Sequence, residues 1–168
     1  MNRPAALASV VLLASFAASR PALAQTMPPM PATPLRALHV TVDASVFAGL
    51  PRRTVSVHED HGGTASYSGV DLGAVLARAG APSGHAIGGA ALASYVLVRA
   101  SDGYRVAFAL PELDPAFTDR VVLLADRRNG APLPPELGPF RVVVPDEKRG
   151  ARWIRNVTAI DLIPIAPP

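Results

Sequence analysis

The chain has 168 residues, a formal net charge of +3 and no cysteine. The absence of thiols excludes disulfides, thiolate metal sites and a cysteine nucleophile. The modest charge argues against nucleic acid as a partner, although the sequence pI is about 9.9.

An export signal is the first element expected. Met1 to Arg3 form a short basic start, and an apolar stretch follows from Ala5 to Ala18. Ala22-Leu23-Ala24 supplies small residues for signal peptidase, so residues 1–24 read as a cleaved signal peptide with Gln25 as the new N-terminus. The apolar run is too short to span a bilayer, and no second one approaches spanning length, so no membrane span remains after cleavage. Only Arg3 precedes it, which gives no twin-arginine pair, and no Cys follows to accept lipid. These features imply the general secretory route, a periplasmic destination and transport as an unfolded chain. Cleavage removes Arg3 and Arg20 and no acid, leaving a nearly neutral protein. Residues 25–36, rich in proline, read as an extended tether before a domain at 37–168.

From Leu38 the pattern is that of short strands. Residues 38–42 and 54–58 alternate, Glu59 to Gly63 form a turn, and residues 64–67 run back as the second arm of a hairpin. One helix is expected at residues 71–79, where Leu72, Val75, Leu76 and Ala79 share a face, Gly80 suits the position after the C-cap and Pro82 blocks continuation. Residues 81–91, rich in Gly and Ala, read as a loop. Further strands are expected at 95–100, 105–110, 121–125, 140–144 and 157–162, with turns at Ser101-Asp102-Gly103 and Asn129-Gly130. Many short strands with one or two helices predict an α+β or mainly β domain.

Three stretches add a resemblance. Tyr67-Ser68-Gly69-Val70-Asp71-Leu72, with Val75-Leu76 and Ala79-Gly80, is similar to a W/Y-x-G-V-x-L…L-L…A-G segment; Ser101-Asp102-Gly103-Tyr104 is similar to a D-G-Y turn. Leu123-Leu124-Ala125, Asn129-Gly130, Leu133-Pro134, the run from Gly138 to Pro145 and Arg152-Trp153-Ile154 follow in the same order as an LLA…NG-x-PLP…HG-x-P-x-R-V-V-V-P…K-W-I pattern. Together they resemble the molybdopterin-binding domain of sulfite-oxidase-like oxidoreductases over roughly Leu38 to Leu162. The resemblance implies a mixed α+β sulfite-oxidase fold, a molybdenum ligated by a cysteine, and a pterin phosphate gripped by basic residues. It also implies oxygen-atom transfer to or from sulfite, or sulfoxide reduction.

Carried over residue by residue, the match is partial. The cysteine would lie between Val57 and Gly69, and none is there; Leu137 stands at the family's histidine. Arg141, Lys148, Arg149 and Arg152 keep the basic character of the phosphate grip, and Asp102 and Tyr104 survive, so these six are the candidate cofactor or anion contacts. Guanidinium groups can hold phosphate or sulfonate bidentately; the same run, with Arg155, Asp146 and Glu147, could equally be a solvated turn with local ion pairs. His58 and His61, beside Glu59 and Asp60, are weak metal candidates, without an assured third ligand in His39 or His85, and read first as a polar turn. Trp153 reads as a core anchor with a polar handle. No residue is assigned a catalytic role.

The sequence therefore favours a non-catalytic exported domain that binds a small anionic ligand or a periplasmic protein, with molybdopterin implied by the resemblance alone. A working molybdopterin-dependent oxidoreductase would need a cytoplasmic cofactor, a folded-export signal and a thiolate. An accessory subunit of a redox complex is the third reading. Intact mass of the exported protein should correspond to a chain beginning at Gln25; retention of residues 1–24 would overturn the localisation.

Overall fold

A computed structural model describes residues 35–59 and 62–165. The expected signal, nearly all of the tether, and Asp60 and His61 lie outside the described residues. Strands β1 (Leu38–Thr41), β9 (Val157–Ile163), β4 (Tyr95–Ala100) and β5 (Arg105–Ala109) form one antiparallel sheet in the order β1-β9-β4-β5. The second sheet runs β2 (Arg53–His58), β3 (Thr64–Asp71), β6 (Leu123–Arg128) and β7 (Ala131–Pro132), with β8 (Arg141–Val143) also paired to β6. Helices α1 (Leu72–Arg78) and α2 (Ala90–Ala93) complete the regular elements. The fold is α+β and consists mainly of short strands.

Alternation along the strands sorts side chains into two cores. Val96, Val98, Phe108, Ile160 and Leu162 of the first sheet meet Val70, Leu124, Val142 and the α1 residues Leu72, Val75 and Leu76 in the larger one. On the opposite face of the second sheet, Val57, Ala65, Tyr67, Leu123, Ala125, Leu133 and Val143 form a smaller cluster, with Leu137 and Trp153 packed against it. Leu97 is only half-buried, because it points to the outer face of its sheet between Asp161 and Ala107.

Helix α1 ends as its sequence requires. Gly80, at φ 97°, lets the Ala81 N–H reach Leu76 O at 2.9 Å and its own N–H reach Ala77 O at 3.0 Å, which satisfies two carbonyls of the last turn. Asp71 occupies the N-cap without a side-chain cap bond and instead pairs with Arg53 at 3.4 Å. Gly69 lies where β3 shifts register against β6, and a Cβ there would stand 1.9 Å from Leu124 O. The glycine of the Y-S-G-V segment is thus needed for close backbone approach.

Two sequence expectations are corrected. Residues 81–91 are not a plain loop: a 3-10 turn (Gly84–Ala86) and the start of α2 fall within them, anchored by Asp114, which accepts the Gly84 N–H at 2.7 Å. The strand expected at 121–125 is displaced to Leu123–Arg128. Its pairing with β3 begins at Asp71, and the Asn129-Gly130 hairpin (φ 51° and 80°) keeps Arg127 and Arg128 in register with β7. Among the described residues, no helix is long and apolar enough to cross a membrane.

Leu76 is 1% exposed and central to the α1 contact. Leu76→Ala should cost about 2–5 kcal/mol, the range for a core site that cannot collapse. Urea unfolding measures it, and a change of a few tenths would mean the apolar face is misassigned.

Candidate functional site

A cleft of about 970 Å³ opens against the smaller core. Val57, Leu137, Trp153 and Ile154 supply apolar wall, and the β2 end, the turn before β5, and the segments flanking β8 supply polar groups. Of the six candidate contacts, Arg141, Lys148, Asp102 and Tyr104 line it; Arg149 and Arg152 do not.

At its inner wall the polar groups are engaged with one another. Arg141 Nη1 donates to the Tyr67 hydroxyl at 2.8 Å, and that hydroxyl donates to Glu59 Oε1 at 2.5 Å. Arg128 reaches the same carboxylate, with Nε 3.3 Å from Oε1 and Nη2 on Oε2. The Arg141 guanidinium lies 5.4 Å from the Tyr67 ring centroid and 5.5 Å from that of Trp153. Tyr67 is fully buried, which obliges its hydroxyl to find partners. The Arg128 hydrogen bond is the largest influence on Glu59 and holds its carboxyl below the ordinary 4.5. The Tyr67 bond and the Arg128 and Arg141 charges act in the same direction, against partial desolvation. Burial, reinforced by the bond to Glu59, pushes the Tyr67 phenol up.

The remaining candidates separate by role. Arg152 is taken by ion pairs to Glu147 and, at 2.9 Å, to Glu112, with its guanidinium 4.5 Å from the Phe108 ring centroid. It braces the segment after β8 to the 3-10 turn that follows β5, so the ion-pair reading holds for this residue. Asp102 Oδ1 accepts the Tyr104 N–H at 2.9 Å, and the Tyr104 hydroxyl donates to Ala151 O at 2.9 Å. These bonds shape the rim of the cleft. Trp153 donates from Nε1 to Val144 O at 2.9 Å, the expected polar handle.

His58 lines the cleft with its Nδ1 3.4 Å from Thr64 Oγ1, and His61 lies outside the described residues. His39 is bonded to Asp161 on the first sheet, and His85 sits in the 3-10 turn before α2; neither lines the cleft. Among the described residues, no three His, Cys, Asp or Glu side chains group as a metal site.

Glu59, Tyr67 and Arg128 were not among the sequence candidates. Glu59 reads in sequence as a turn residue, Arg128 as the flank of a hairpin, and 69 residues separate them. Tyr67 alone carried a signal, as the aromatic of the Y-x-G-V segment.

Two antiparallel sheets with a cleft bounded by the segments around β8 define a small domain of mixed α+β type. The family model for the oxidoreductase molybdopterin-binding domain matches residues 30–166, and the chain belongs to this family. No curated protein matches the chain. The donor set nevertheless does not fit a thiolate-ligated molybdenum cofactor. The chain has no thiolate, and the carboxylate in the segment where the resemblance places one is already bound by Arg128 and Tyr67. Of the expected phosphate grip, Arg141 and Arg152 are likewise engaged inside the protein.

Because the Glu59 pKa is depressed in the fold, its contribution to stability is present above about 4.5 and lost as pH falls through the folded value. Glu59→Gln should therefore be less stable than the wild type at pH 7, with the gap narrowing below pH ~4.5. Urea midpoints at pH 7 and pH 3 test this, and an equal gap at both would deny Glu59 its role as a folded-state counter-ion.

Proposed function

We propose that the protein is a non-catalytic, exported binding domain whose cleft takes an anionic ligand. One observation carries the reading: the polar groups of the inner wall are committed to each other, whereas Lys148 and Arg155 line the same cleft, exposed to solvent. Among the described residues neither has a carboxylate within 4.0 Å, in contrast to Arg52, Arg120, Arg128 and Arg152. Val57, Leu137, Pro134 and Pro145 line the cleft beside them and offer apolar contact to the body of an organic anion. Export rests on residues 1–24, and places the ligand outside the cytoplasm.

The missing thiolate supports a binding role over oxygen-atom transfer, since nothing in the cleft supplies the anionic sulfur donor of the family's metal. Arg141 is not the residue on which this reading depends, because its guanidinium is turned onto Tyr67.

The experiment is titration calorimetry with inorganic phosphate and methanesulfonate in low and moderate salt. Binding should be weak and salt-sensitive. Lys148→Ala combined with Arg155→Ala should weaken it by roughly 10–100-fold, the loss expected for charge-assisted hydrogen bonds at a surface cleft. Equal affinity in both proteins would remove the reading. Sulfite oxidation or sulfoxide reduction by protein carrying molybdopterin would establish an enzyme in its place.

A further inference from the structure

We infer that Glu59 is a built-in occupant of a carboxylate subsite in the inner wall of the cleft, formed by Arg128, Arg141 and Tyr67, and that a ligand carboxylate can take its place. The inference deepens the reading of the cleft as an anion site and extends it from the rim to the wall.

The donors are arranged for a planar, two-oxygen anion. One carboxylate oxygen receives the Tyr67 hydroxyl at 2.5 Å and Arg128 Nε at 3.3 Å, and the other receives Arg128 Nη2. A guanidinium fork against a carboxylate is the geometry that distinguishes Arg from a point charge. Behind them Arg141 holds the Tyr67 hydroxyl at 2.8 Å, and its own Nε is buried without a partner. The array therefore still has unmet donor capacity with Glu59 in place.

Donors and occupant are anchored differently. Tyr67, Arg128 and Arg141 sit on β3, β6 and β8, three paired strands of one sheet, and Tyr67 is directly opposite Arg128 in the register. Strand pairing, not Glu59, sets their backbone positions. Glu59 is the first residue past β2, the strand at the sheet edge, and among the described residues its backbone is bonded only within the hairpin turn, to Gly62 and Gly63. The anion is thus on the least anchored part of the array. Its side chain is 23% exposed and that of Arg128 34%, so the subsite is reachable from the cleft.

Removing the carboxylate should leave a vacant, preformed hole. Formate and acetate are the probes, with chloride at matched ionic strength as the control. Glu59→Ala should bind formate and acetate about tenfold or more tightly than the wild type, in which they compete with the tethered carboxylate. Glu59→Gln should gain little, since its amide fills the same space. No gain in Glu59→Ala would overturn the inference, and so would an equal gain in Glu59→Gln, which would trace binding to net charge. If Glu59→Ala does not fold in buffer, refolding yield is measured against formate concentration: rescue by formate but not chloride supports the subsite, and no rescue overturns it. Repeating the titration with Lys148→Ala and Arg155→Ala added separates the two readings. A gain that persists there keeps the inner subsite even if the rim binds nothing. Rim binding in the wild type without any gain in Glu59→Ala overturns the subsite alone.

Discussion

The Arg141 guanidinium, set against the rings of Tyr67 and Trp153 and bonded to the Tyr67 hydroxyl, joins three parts of the chain that also meet in the smaller core, where the two rings lie edge to face with centroids 6.4 Å apart. Tyr67 comes from the middle of β3, Arg141 from the start of β8, and Trp153 from beyond the 3-10 turn at Gly150–Arg152. A cation over aromatic faces contributes about 0.5–2 kcal/mol, more as it is desolvated. Its larger effect here is geometric. The smaller core needs Tyr67 inside it, and a buried phenol needs hydrogen-bond partners. Arg141 and Glu59 provide them on either side, which carries the polar network from the core to the cleft wall.

The path of the chain after β8 distributes the charge of the cleft. The basic run from Lys148 to Arg155 is continuous in sequence but divides in space. The chain makes one 3-10 turn at Gly150–Arg152, with about three residues per turn, so neighbouring side chains leave in different directions. Lys148 and Arg155 face the cleft, whereas Arg152 turns back to Glu112, Glu147 and the Phe108 ring. Arg120 extends the same network to Asp146 at 3.0 Å. One stretch of sequence thus supplies both a brace and part of the cleft rim.

The fold was legible wherever a local rule determined it. The hairpin of β2 and β3, the face and glycine stop of α1, and the Asn129-Gly130 turn each depend on residues within a few positions of one another. Strand ends were less legible, because β6 is bounded by its partners β3 and β7 rather than by its own composition. Short α2 escaped for a related reason: a four-residue helix has too few turns for a periodic pattern, and its Gly-Ala sequence suggests a loop. The candidate site was legible only in part. Arg141, Lys148, Asp102 and Tyr104 were found through motif order, but Glu59 and Arg128 meet across a sheet whose register no local signal encodes.

The missing thiolate goes with a carboxylate that is already engaged inside the protein. A metal centre of this family requires an anionic donor with lone pairs to spare. Here the segment expected to provide it presents Glu59, whose oxygens already accept from Tyr67 and Arg128, with Arg141 one hydrogen bond further on. A cation brought to that carboxylate would meet a guanidinium at contact distance. At an effective dielectric of 20 a like charge at 4 Å costs about 4 kcal/mol, which cancels the attraction of one carboxylate at the same distance. The fold therefore keeps the architecture of the family, while the carboxylate of its inner wall is already committed to Arg128 and Tyr67.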